Sequence, residues 1–174
     1  MPGRRALVEG GVGLALLALA FSAIAASDVS VAGTRVFWSG VVCVFAAAAY
    51  ASDWMRPGPG TAGARGALRT ALHWIGVLVA IHLVFYFVDS GRMANADTGL
   101  TNGLILALGA YLAGIHGNWR FSVLGLALAG AAMGVALVEQ YVWVLIGIAL
   151  LAFLAMVLGA RFRKGRARGA SKPT

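Results

Sequence analysis

The chain has 174 residues, of which 60% are hydrophobic and only 11% are charged, and its mean hydropathy is +0.85. Soluble domains typically have about 45–50% apolar and about 25% charged residues, so this composition excludes an ordinary soluble protein. The net charge of +8 is weak support for nucleic-acid binding, because six of the basic residues fall in the last fourteen positions.

Six apolar segments are long enough, at about 20 residues each, to cross a hydrocarbon core about 30 Å thick. They cover roughly residues 6–26, 35–52, 69–88, 98–116, 121–139 and 141–161. Backbone polar groups in lipid must be bonded within their own segment, so we predict an all-α bundle of six transmembrane helices, residues 1–162. A tight turn at Glu139–Gln140 is expected to separate the last two, and residues 163–174 are expected to form a basic, disordered cytoplasmic tail.

The first segment resembles a cleavable signal peptide, because Arg4 and Arg5 precede an apolar run. Glu9 would be unusual at the start of the apolar region of such a peptide. We therefore interpret the segment as an uncleaved first span.

Lysine and arginine residues alternate across the segments. Twelve of the fourteen fall on one predicted side, and only Arg35 and Arg92 fall on the other. Short cytoplasmic loops retain Lys and Arg, so this distribution predicts that both termini are cytoplasmic.

The tryptophans give a second indication of the same layout. All five fall near the ends of the segments, as in the aromatic belts of membrane proteins. Those at predicted cytoplasmic ends are Trp54, Trp74 and Trp119, and those near the opposite interface are Trp38 and Trp143.

Small residues recur four positions apart, a spacing that lets helix backbones approach closely. The pairs are Gly99 and Gly103, Ala110 and Gly114, and Gly130 and Gly134. They predict either packing within the bundle, which we favour, or a face for dimerisation or a partner.

A group of polar residues is predicted near the non-cytoplasmic side. His82, Tyr86 and Asp89 share one helical face, and an antiparallel fourth span would bring Asn102 close to the level of His82. Glu139 lies at the same level. These residues are candidates for ligand binding or a proton pathway, because ionisable groups inside a membrane are commonly functional. The alternative is that His82 bonds to Tyr86, Asn102 or a backbone carbonyl and only stabilises a helix pair.

Two further histidines lie at the predicted cytoplasmic side. His73 begins the third span and His116 closes the fourth, so an antiparallel pair could bring them face to face. Ligation of haem or a pigment by His73, His116 or His82 would need that geometry and a cavity. Interfacial histidines are more often solvated, so we expect no cofactor and no metal site.

The basic residues after the last span are expected to contact anionic lipid headgroups. They are Arg161, Arg163, Lys164, Arg166 and Arg168.

Three functions are compatible with this pattern, and none of them is enzymatic. We favour a non-catalytic accessory or scaffold subunit that packs against other membrane proteins, since polar residues inside the spans are few. The alternatives are a small oligomeric transporter or channel, and a haem- or pigment-binding protein. The expected location is the cell membrane, in bacteria the inner membrane.

Overall fold

The computed structural model describes residues 2–27, 31–55 and 63–169, and every element in these ranges is helical. Five α-helices run in chain order: α1 (Pro2–Ser27), α2 (Val31–Met55), α3 (Gly63–Asp89), α4 (Thr98–His116) and α5 (Trp119–Gly169), with a short 3-10 helix, Asn95–Asp97, before α4. By length and composition, all five could cross a membrane. The prediction of an all-helical protein with membrane-spanning helices is thus confirmed, whereas the number of six spans and the orientation of the termini stay predictions.

Glycine ends the third helix. Gly91 has a φ of +70°, in the left-handed region that side chains disfavour. The turn lets the amide of Gly91 bond to the carbonyl of Val88 at 3.0 Å, and that of Arg92 to the carbonyl of Phe87 at 2.9 Å. These bonds satisfy carbonyl groups that the end of a helix leaves without intrahelical partners.

The fifth helix differs from the sequence prediction. The backbone stays helical through Glu139 and Gln140, where we expected a tight turn between two spans. Both residues are good helix formers and no proline lies nearby, so nothing in the local sequence ends the helix there. The helix also includes residues 163–169 of the predicted disordered tail, whose Arg and Lys favour helix. Residues 170–174 lie outside the described ranges.

Two compact units make up the chain, Met1–Met133 and Gly134–Thr174. The first holds α1 to α4 and the beginning of α5. Within it, α1 packs against α2 and α4, and α3 packs against the same two helices. Its core contains large side chains that are less than 2% exposed, among them Trp38, Phe45, Ile81, Phe85 and Leu106.

Two glycines of α4 lie directly against α1. A Cβ added at Gly99 would be 2.8 Å from the carbonyl oxygen of Ile24 and 3.0 Å from the Cβ of Ser27. One added at Gly103 would be 2.9 Å from Cδ1 of Ile24. Close backbone approach at this spacing is what the small-residue pattern predicts for packing within the bundle.

Glycines also allow α4 to pack closely against the first turns of α5. A Cβ at Gly125 would lie 2.5 Å from both the carbonyl oxygen of Ala107 and the amide nitrogen of Tyr111. Gly114 is in similarly tight contact with Ser122, whose hydroxyl donates to the carbonyl of Tyr111 at 3.1 Å. These contacts hold α4 and the start of α5 as a closely packed helical hairpin.

Candidate functional site

An ion pair joins α2 and α3 at the predicted non-cytoplasmic end. The guanidinium of Arg35 lies 2.6 Å from the carboxylate of Asp89, and its Cζ is 5.3 Å from the ring centroid of Phe85. The side chains of Arg35 and Asp89 are 43% and 52% exposed. Arg35, one of the two basic residues on the disfavoured side, therefore has a counter-charge beside it.

A buried hydrogen-bond chain lies at the same end, between α1 and α2. The indole of Trp38 donates to the hydroxyl oxygen of Ser27 at 2.9 Å, and Ser27 donates to the carbonyl of Ala23 at 2.8 Å. Trp38 and Ser27 are at most 1% exposed. These hydrogen bonds give the indole N–H, the one polar group of Trp38, an acceptor inside the apolar core.

The residues of the predicted polar pathway do not come together. His82 is exposed on the outside of the bundle, and its Nδ1 donates to the carbonyl of Leu78 in its own helix at 3.0 Å. Tyr86 is 64% exposed, and Asp89 is engaged with Arg35. Asn102 is 0% exposed. The side chain of Glu139 lies outside the described residues.

Asn102 and Thr98 are two buried polar residues on one face of α4. The side-chain amide of Asn102 has no hydrogen-bond partner among the described residues, at either its nitrogen or its oxygen. The same is true of the hydroxyl of Thr98. A buried amide without a partner is unfavourable, typically by about 1–3 kcal/mol. The burial of the Asn102 amide is therefore expected to lower the stability of the helix packing around it.

The histidines of the predicted cytoplasmic side both donate to backbone carbonyls. His73 bonds through Nε2 to Gly109 at 2.9 Å, and His116 bonds through Nδ1 to Leu112 at 2.8 Å. His73 also packs edge-on against Trp74, at 5.4 Å between ring centroids. In the described part of the chain, no group of three His, Cys, Asp or Glu residues could hold a metal ion.

Polar side chains at this end connect the helix termini. The hydroxyl of Thr70 donates to the carboxylate of Asp53 at 3.2 Å, which joins α3 to α2. Arg69 donates to the backbone carbonyl of His116 at 3.0 Å, which joins α3 to the end of α4. The end of α2 meets the beginning of α3, and the beginning of α3 meets the end of α4, so each of these two helix pairs runs antiparallel.

A second set of contacts joins α1 and α2 to the beginning of α5. Glu9 forms an ion pair with Arg120, and the amide of Asn118 donates to the hydroxyl oxygen of Ser52 at 2.7 Å. The side-chain oxygen of Asn118 accepts the backbone N–H of Arg120 at 3.2 Å. Asn118 thus caps α5 and fixes the position of Arg120.

A cavity of about 720 Å³ opens beside this ion pair, between α1, α2 and the first turns of α5. Its wall is mostly apolar, with Val12, Leu16 and Leu124 among the lining residues, and Glu9 and Arg120 line it too. Sequence reasoning missed this site. The available signal was that Glu9 is a carboxylate inside the first apolar segment, and Arg120 is the single basic residue between the fourth and fifth.

The glycine pair of α5 differs from that of α4. No atom of the described residues comes within 4 Å of a Cβ built at Gly130 or at Gly134, whereas α1 occupies the corresponding space at Gly99 and Gly103. The side chains of the basic residues proposed to contact lipid, from Arg161 onward, lie outside the described residues.

Comparison with known proteins gives no match: no family model, no curated protein and no solved structure is similar to this chain.

Proposed function

We propose that the chain is a non-catalytic accessory or scaffold subunit that packs against partner proteins in a larger complex of the cell membrane, in bacteria the inner membrane. The observation that carries this proposal is the open glycine pair of α5. Gly130 and Gly134 have the spacing of a close helix contact, yet no described atom occupies the space above them. A partner helix would approach the α5 backbone closely at these two glycines and gain van der Waals contact. Lipid chains pack equally well on any apolar surface, so they do not require a glycine pair.

The composition of α5 supports the same proposal. Its apolar stretch Trp119–Leu154 has 36 residues, well above the about 20 that one crossing requires. Large side chains beyond Gly134 are exposed, such as Leu137 at 48%, Tyr141 at 55% and Leu151 at 69%. A helix that is apolar on all sides is normally covered by protein or lipid. These exposed apolar side chains of α5 provide a surface for a partner helix.

The alternatives receive less support from the geometry. A transporter using the predicted polar residues would need His82 and Asn102 on one pathway, but His82 is exposed and Asn102 is buried in the core. A haem or pigment site would need ring nitrogens directed at a common centre, whereas His73 and His116 each donate to a backbone carbonyl. The subunit hypothesis requires neither arrangement.

Purification of the full chain from its native membrane in mild detergent tests the proposal. We expect one other membrane protein at a constant molar ratio and a sample without visible absorbance. The variant Gly130→Leu/Gly134→Leu should lose this partner, because the added side chains separate the helices. Gly40→Leu/Gly76→Leu is a matched control, since both glycines are exposed and their added Cβ atoms meet no described atom within 4 Å.

Three results would contradict the proposal. The chain could purify alone or as a homo-oligomer, which would favour transport. The partner ratio could be equal in the double variant and its control, which would remove α5 from the interface. A Soret band in the purified wild-type protein would instead favour the haem hypothesis.

A further inference from the structure

The cavity beside the Glu9–Arg120 ion pair is a site that the proposed function does not use. We infer that it binds one zwitterionic phospholipid of the ethanolamine class, with the phosphate at Arg120, the ammonium at Glu9 and part of an acyl chain along the apolar wall. The inference does not depend on the chain being a subunit of a complex.

The size and lining of the cavity fit an amphiphilic ligand. Its volume of about 720 Å³ lies within the range of about 300–1,000 Å³ that is typical of small-molecule sites. Charged groups are contributed by Glu9 and Arg120, whereas Val12, Leu16 and Leu124 line the wall further along α1 and α5. The cavity is therefore polar at one end and apolar at the other.

The position of the cavity along the helices indicates which end lies near the lipid headgroups and which lies deeper in the bilayer. Trp54 and Trp119 are 81% and 66% exposed, and each is adjacent in sequence to a residue that lines the cavity. Exposed tryptophans favour the headgroup region, which places the ion pair at that level. Leu16 lies seven residues beyond Glu9, about 10 Å deeper at the rise of 1.5 Å per residue. The polar end thus faces headgroups and the apolar end faces acyl chains.

Charge complementarity selects the headgroup. The site offers one carboxylate and one guanidinium, so an anionic headgroup would meet a repulsive charge as well as an attractive one. A zwitterionic headgroup gives each member of the ion pair a second, opposite charge, because a guanidinium with five N–H donors also binds phosphate and a carboxylate with two oxygens also accepts hydrogen bonds from a primary ammonium. A choline headgroup carries no N–H donor for Glu9. The N-terminus of α5, next to Arg120, adds partial positive charge on the phosphate side.

Native mass spectrometry of the full chain in detergent, with phosphatidylethanolamine, phosphatidylcholine or phosphatidylglycerol added in turn, tests the inference. We expect one molecule of the ethanolamine lipid per chain, bound more tightly than either of the others. Glu9→Gln should abolish the preference over choline, and Arg120→Gln should weaken both zwitterionic lipids about tenfold, the factor expected for one lost charge-assisted hydrogen bond. Thermal unfolding with and without each lipid gives an independent measure of the same binding.

Steric variants locate the site. Gly13 lines the cavity and has no described atom within 4 Å of an added Cβ, so Gly13→Leu should fill the space and remove lipid binding while the helices fold. Ala51→Leu fills it from α2 if the first variant does not fold. Gly76→Leu, on α3 and away from the cavity, is the control and should bind lipid normally.

The inference is refuted by equal binding of all three lipids, or by binding that persists in Gly13→Leu and Ala51→Leu. It is also refuted if the anionic lipid binds best, or if only detergent or a co-purifying protein occupies the site. Its failure is distinct from failure of the proposed function, because that proposal concerns Gly130 and Gly134 on another part of α5.

Discussion

The contact between α1 and α4 predicts unequal effects for the same substitution at two neighbouring glycines. In Gly99→Ala the new methyl group would lie 2.8 Å from the backbone oxygen of Ile24, which can move only if a helix moves. Overpacking of this kind destabilises by about 1–3 kcal/mol. The better helix propensity of alanine offsets at most about 1 kcal/mol of that. We therefore expect Gly99→Ala to lower the free energy of unfolding by about 1–2 kcal/mol.

Gly103→Ala is the matched comparison on the same helix face. There the close atom is Cδ1 of Ile24, the far end of a flexible side chain that can change rotamer. We expect a change within about 0.5 kcal/mol of the wild-type value, as for tolerated substitutions. Gly130→Ala meets no described atom and should be neutral or stabilising by up to about 1 kcal/mol.

The assay is unfolding of the purified protein in mixed micelles, followed by helical circular dichroism as the fraction of denaturing detergent rises. The reasoning is refuted if Gly99→Ala is as stable as Gly103→Ala, because the backbone contact would then not limit the approach of α1 to α4. Equal destabilisation by all three variants would refute it as well, since the loss would then come from glycine replacement itself.

Three further predictions use the same unfolding measurement. Ser27→Ala should destabilise by about 1–2 kcal/mol, because the buried indole N–H of Trp38 loses its acceptor; a neutral result would mean that another acceptor replaces it. Asn102→Leu should stabilise, because it removes a buried amide that has no partner among the described residues, and destabilisation would instead reveal a partner of Asn102 in the membrane. His82→Leu should change stability by less than about 0.5 kcal/mol, since His82 is exposed and bonds only within its own helix, whereas a large loss would restore it to a helix interface.

Much of the helical layout could be predicted because it depends on local sequence. The fourth helix occupies residues 98–116, as the apolar run predicted, and α3 ends at Asp89, one residue after the predicted end of the third span. The end of α5 could not be predicted in this way. Glu139 and Gln140 are the most polar residues in a long apolar run, but polarity alone does not break a helix, and the described backbone continues through them.

The rotation of each helix was the harder feature to predict. The spacing of His82, Tyr86 and Asp89 predicts that they share one face of a helix, but spacing does not say which face points inward. In the structure Ile81, Val84 and Phe85 are buried in the core, and the neighbouring face with His82 is exposed. The cavity was still less accessible to prediction, because it depends on Glu9 and Arg120, which are far apart in the sequence.

The Glu9–Arg120 ion pair has a consequence for the order in which the bundle is completed. Its two residues are 111 positions apart, so the carboxylate of the first helix acquires this partner only after more than two thirds of the chain has been synthesised. The close contact of Gly99 with Ile24 is also delayed until α4 is made. The first helix is synthesised first, but its contacts with α4 and α5 form only after the long intervening part of the chain has been made. During biosynthesis the contacts of α1 with α4 and α5 therefore form later than its contact with α2, which needs only the first two helices.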